Sequence, residues 1–119
     1  MTTETVAILN TTRNTVLGER ISLAGTSLSR MVGLLGKSGL EPGTGLLITP
    51  SQAVHTVGMR FAIDVVFIDR NWKVIHLRPD MVPFRISKIC WRARSVLELP
   101  AGVIAKSSTV VGDELSIAD

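Results

Sequence analysis

Four residues able to carry a charge, His55, Arg60, Asp64 and Asp69, lie inside the apolar stretch that runs from His55 to Asp69. A segment this apolar is expected to be largely buried, and a buried charge needs a partner. An arginine there could grip a carboxylate, phosphate or sugar acid. An aspartate could act as a general acid or base, or accept backbone N–H bonds. Side chains on a strand alternate between faces. Met59, Phe61, Ile63, Val65 and Phe67 therefore form one apolar face, the better candidate for the core. Thr56, Arg60, Asp64, Val66 and Ile68 form the other. Residues four apart on a strand are about 13 Å apart. Arg60 and Asp64 can then pair only if the chain bends, and Gly58 marks the place for a bulge. Glu98, between Leu97 and Leu99 on another apolar run, is the obvious partner for Arg60. Asp64 could instead take backbone N–H groups or Arg30. The expectation is a polar cluster of Arg60, Asp64 and Glu98 with Arg30 or His55 nearby. A network that fixes the fold is its favoured role; ligand binding by His55, Arg60, Asp64 and Glu98 is the sharper alternative.

Other chemistries find less support. His55, His76, Asp64, Asp80, Glu98 and Asp113 are donors of the right type for a metal, but none has recognised ligand spacing. No metal and no cofactor are expected. There is no Gly-x-Ser-x-Gly elbow and no Gly-x-x-x-x-Gly-Lys phosphate loop. Cys90, flanked at two residues by Lys88 and Arg92, reads as a buried structural thiol rather than a nucleophile. Arg78, Arg85, Lys88, Arg92 and Arg94 are opposed only by Asp80, with Trp91 among them. That is the pattern of an anionic-surface patch. A solvated basic loop or edge strand is the favoured reading, because the net charge is only +3.

The elements that must position these residues are short. The chain has 119 residues, 45% hydrophobic and 19% charged, which suits one domain, 1–119, with one core. Aromatic residues are only 4%, too few for a base-stacking platform, so nucleic acid is disfavoured as a partner. A single cysteine excludes an internal disulfide. No signal peptide and no apolar run of membrane-span length are seen, so a cytoplasmic protein without a membrane span is expected. Strands are expected at 4–10, 15–23, 45–48, 61–68, 72–77 and 95–99. Others are expected at 109–111 and 114–117, and an edge strand at 86–91. Pro79 and Pro83 should bracket a loop. Ser27, Leu28, Met31, Val32 and Leu35 followed by Gly36 predict one short helix near residues 27–35. Short strands at regular spacing argue for a mainly β fold, an antiparallel sandwich or barrel.

From Arg30 onward the chain resembles the domain-of-unknown-function family 192. Arg30 with Gly33-Leu34-Leu35, then Gly43-Thr44-Gly45-Leu46-Leu47-Ile48, fit the first two family motifs. The run His55-Thr56-Val57-Gly58-Met59-Arg60-Phe61-Ala62-Ile63-Asp64-Val65-Val66-Phe67 fits the hallmark. It looks like the His-Thr-x-Gly-Met-Arg-Phe branch rather than the Trp-Met-Lys-Asn-Thr one. Leu97-Glu98-Leu99-Pro100-Ala101-Gly102 and Gly112-Asp113 complete the order. Ala62 stands where relatives often carry Pro, and the leader segment of many relatives is not expected here. The resemblance implies a jelly-roll-like or barrel-like β domain and no established activity.

The expected function is a non-enzymatic binding module for a small anionic ligand or a protein partner. One alternative is a hydrolase- or isomerase-like enzyme using Asp64 or Glu98 as general acid or base with Arg60 as electrostatic stabiliser. Another is an assembly module using the edge near Ile86 to Trp91.

Overall fold

The computed structural model describes residues 5–24, 40–56 and 59–118. Its seven strands are β1 (Thr5–Asn10), β2 (Thr15–Ala24), β3 (Thr44–Ile48), β4 (Ile63–Ile68), β5 (Val74–Met81), β6 (Ser95–Pro100) and β7 (Leu115–Ala118). They form one sheet in the order β5-β4-β6-β3-β2-β1-β7. The expected mainly β fold is present, as a single curled sheet rather than two stacked ones. The two ends of the sheet approach each other. The N–H of Val74 donates to the carbonyl of Asp113 at 2.8 Å, and that of Leu115 to Trp72 at 2.9 Å. The fold is thus a half-barrel.

The curl explains why β4 is apolar on both faces. All six of its residues are buried. Val66 and Ile68 face inward with Val6, Ile8, Ile21, Leu97 and Leu99, drawn from across the sheet. Ile63, Val65 and Phe67 face outward, onto Leu46, Val54, Met59, Met81, Cys90 and Val96. There the segments before β4 and before β6 cover the sheet. Two buried faces on one strand give a near-continuous apolar run rather than alternation.

The structure departs from expectation at five places. β2 and β3 pair in parallel, with Ile21 opposite Gly45, inside an otherwise antiparallel sheet. Residues 86–91 make one isolated bridge, His55 to Ile86, and are not a strand. Residues 109–111 form the approach to a turn. β5 runs through Pro79 instead of ending before it, which an edge strand permits. A short helix, α1 (Val103–Lys106), follows β6. Four residues are too few to show a helical period in the sequence. The helix expected near residues 27–35, Arg30 within it, and Gly58 lie outside the described residues.

Candidate functional site

Asp64 is 1% exposed, and its carboxylate is taken up by the backbone. Oδ1 accepts the N–H of Asp80 at 2.8 Å. Oδ2 accepts those of Gly102 at 3.1 Å and Ile104 at 2.8 Å. Both elements that supply these donors, β5 and the helix α1, need it. β5 carries one extra residue opposite Asp64, because Ile63 pairs with Met81 but Val65 with Arg78. Pro79 has no N–H, and Asp80 adopts a left-handed φ of 50° that turns its N–H toward Asp64. Gly102, the residue before α1, has φ 98° and offers no capping side chain. Asp64 supplies from β4 the capping carboxylate that the helix lacks.

Glu98 is the odd residue of the barrel wall. It pairs with Val65 of β4 and Leu46 of β3, and so shares their outward face. Its side chain is 1% exposed, and Oε2 has no hydrogen-bond partner among the described residues. Burial pushes its pKa from 4.5 up to about 7, the protonation range of a general acid.

The structure does not bring the four expected residues together. Asp64 lies opposite Leu99 and shares its inward face, while Glu98 points outward. Arg60 and His55 are exposed. Among the described residues, the one ion pair joins Arg13 to Asp113, so Arg60 does not bridge to Glu98. Among the described residues, no cation compensates the Glu98 carboxyl. Among the described residues, no three His, Cys, Asp or Glu side chains converge as metal ligands. Cys90 is buried, which raises its thiol pKa despite the nearby charge of Lys88.

A different constellation does converge. Three loops, 50–52, 69–71 and 91–94, frame an open cleft of about 670 Å³. Backbone bonds lock them together: the N–H of Ser51 donates to the Arg94 carbonyl at 3.1 Å, and that of Arg94 to Ile68 at 2.8 Å. Arg70, Arg92 and Arg94 line the cleft beside Trp91, which is 75% exposed. The one acid there, Asp69, turns Oδ1 to the N–H groups of Asn71 and Lys73 in its own turn. The clustering of Arg92 and Arg94 around Trp91 is legible in the sequence. The arrival of Arg70 is not, because it depends on the β4–β5 turn meeting the loop before β6.

A polar network that sequence reasoning missed ties the end of β1 to the turn before β7. Asn10, fully buried, donates from Nδ2 to Asp113 Oδ2 and to Thr109 Oγ1, both at 3.0 Å. Arg13 Nε and the N–H of Val110 meet the same carboxylate. Burial alone would raise the Asp113 pKa, but bonds from Arg13, Asn10 and Val110 and the charge of Arg13 hold it below its usual value. Asn10→Ala leaves these partners short of a donor and should cost about 2–3 kcal/mol in urea unfolding.

The comparisons agree with this architecture. Residues 8–117 match the model of DUF192, described as "Uncharacterized ACR, COG1430". A UPF0127 protein of Pyrococcus furiosus is 30% identical over 114 residues, covering 91% of this chain and 95% of the relative. One of Thermococcus sibiricus is 29% identical, covering 91% of this chain and 72% of the relative. A crystal structure of a protein of unknown function from Novosphingobium aromaticivorans superposes with a TM-score of 0.76 at 21% identity. It covers 96% of this chain and 84% of that one, and shares the fold. With the half-barrel and the Leu97–Gly102 segment in place around Asp64 and Glu98, this chain belongs to the DUF192 family.

Proposed function

We propose that the chain is a binding module that takes a small anionic ligand in the cleft framed by Arg70, Arg92 and Arg94. The observation that carries this reading is the meeting of three exposed guanidinium groups beside an exposed Trp91, with the single local carboxylate, Asp69, accepting two backbone N–H groups of its own turn through Oδ1. Guanidinium groups offer forked donors that match carboxylate or phosphate, and an indole face accepts a flat or sugar-like body. The reading keeps the anionic ligand expected from the sequence and moves it away from His55, Arg60, Asp64 and Glu98. The motif at residues 55–61 also supports assignment to the His-Thr-x-Gly-Met-Arg-Phe branch of the family.

Thermal shift and calorimetry with phosphate, citrate and a nucleoside monophosphate test it. Stabilisation should rise with ligand concentration. Arg92→Glu and Arg94→Glu should each weaken binding about tenfold or more. No stabilisation by any anion, or equal binding by the variants, would sink the reading. A second reading, acid–base chemistry at Glu98, has the raised pKa in its favour. Against it, Glu98 is 1% exposed and does not line the cleft of Arg70, Arg92 and Arg94.

A further inference from the structure

The segment from Val82 to Trp91 exposes more apolar surface than a loop requires. Phe84 is 67% exposed, Ile86 75%, Ile89 52% and Trp91 75%. Arg85, Lys88 and Arg92 are interleaved with them and also exposed, and no acidic residue occurs between Met81 and Leu97. Isolated apolar residues on a surface are ordinary; four large ones within eight positions are not.

These side chains are held outward by a fixed backbone. The N–H of Phe84 donates to the Thr56 carbonyl at 3.1 Å, that of Ser87 to Val54 at 2.9 Å and that of Cys90 to Gln52 at 2.8 Å. Thr56 Oγ1 donates to the Val82 carbonyl at 2.7 Å and accepts the N–H of Arg85 at 2.9 Å. Thr56, Ser87, Cys90 and Ala93 are buried and anchor the loop. Phe84 holds a left-handed φ of 63°, a conformation that costs a bulky residue energy and that the bonds to Thr56 maintain. The apolar residues therefore cannot fold back onto the body without breaking this ladder.

We propose that the ridge from Val82 to Trp91 docks on an anionic lipid surface, with Phe84, Ile86, Ile89 and Trp91 entering the interfacial layer and Arg85, Lys88 and Arg92 meeting the headgroups. The charge decides the class of partner. A second copy of this chain would set like charges against each other across a two-fold contact. A nucleic acid would meet the cations but leave Ile86 and Ile89 against phosphate, where they gain nothing. A groove-bound peptide needs a groove, and side chains this exposed project instead of lining one. Apolar and indole side chains surrounded by cations on one rigid element match the layered chemistry of a bilayer surface. The inference goes beyond the anion cleft, with which the ridge shares Trp91 and Arg92, and does not depend on a soluble ligand binding there.

The test uses the full chain with Trp72→Phe, so that Trp91 alone reports. Sedimentation and fluorescence are read with vesicles of phosphatidylcholine, and of phosphatidylcholine mixed with phosphatidylglycerol. The mixed vesicles should pellet the protein and shift Trp91 emission to the blue; the neutral ones should do so far more weakly. Phe84→Ser should weaken binding about tenfold, and Lys88→Glu should weaken it at least about fivefold. Both sites are exposed, so thermal melting should be unchanged. Arg70→Glu, in the cleft but off the ridge, should abolish soluble-anion binding and spare vesicle binding. Absence of binding to the mixed vesicles overturns the proposal, as does binding that Phe84→Ser leaves intact. A dimer in solution that Ile86→Ser dissociates also overturns it and assigns the ridge to self-association.

Discussion

Replacing Glu98 by glutamine should remove a pH dependence of stability that the native chain carries between pH 4.5 and about 7. The folded protein keeps a proton on Glu98 up to about pH 7, while the unfolded chain releases it from 4.5 upward. Within that window the native state binds more protons, so unfolding free energy falls as pH rises. The stability is fully present below pH 4.5 and is lost as pH rises through about 7. A displacement of this size corresponds to about 3 kcal/mol between the two limits. That is a large share of the roughly 5–15 kcal/mol typical of a domain. Urea unfolding of both proteins at closely spaced pH values checks it. The difference between them isolates Glu98 from Asp113 and every other titrating group. The Glu98→Gln variant would still bury an amide, so a constant offset between the two curves is expected as well. The informative quantity is the slope of their difference. A difference that is flat with pH would mean that Glu98 is ionised in the folded protein, held by a cation or donor that compensates it. That outcome would reopen the outward face as a binding site.

The contrast between Glu98 and Asp64 shows what the sequence could and could not convey. Both acids stand in apolar runs, and both announce burial. The spacing of Phe61 to Phe67 is enough to assign β4 faces, and Ile63, Val65 and Phe67 do share one core layer. The cross-strand register is not written in either run. Val65, not Asp64, lies opposite Glu98, and a single-residue step sends the two carboxylates to opposite sides of the wall. Arg60 lies upstream of the first ladder pair, which begins at Ile63, outside the stretch where alternation fixes direction. It is exposed, so the salt bridge expected from its charge does not form with Glu98. The parallel β2–β3 pair escaped for a related reason. Hairpins leave a turn signature between neighbouring strands, whereas a parallel pair is joined by a long crossover with no local mark. The anion cleft is tertiary in origin throughout. It is framed by three loops whose meeting depends on the Ser51–Arg94 and Arg94–Ile68 backbone bonds.

Asp64→Ala should be the most damaging single substitution among the described residues. One carboxylate here holds three backbone donors from two different elements. Its removal leaves those N–H groups without an acceptor in an environment where Asp64 itself is 1% exposed. Charge-assisted bonds of this kind are worth about 1.5–3 kcal/mol each. They are not independent, so a loss of about 4 kcal/mol is expected, lowering Tm by about 15 °C. Asp64→Asn should cost roughly half as much, because the amide retains one acceptor oxygen and turns its NH₂ against the other donors. Hydrogen exchange gives the sharper check. The amides of Asp80, Gly102 and Ile104 should exchange faster in both variants, while those of the β1–β2 ladder should follow only the global loss. The bulge at Pro79–Asp80 and the start of α1 would then open together, since they share the same carboxylate. If Asp64→Ala cost less than about 1 kcal/mol, or if those three amides kept native protection, Asp64 would not be the fastener of β5 and α1. Its burial would then require another explanation. If the full loss is observed, three of the roughly four acceptor sites of the Asp64 carboxylate are committed to the fold. The acid–base reading of this pair would then rest on Glu98 alone.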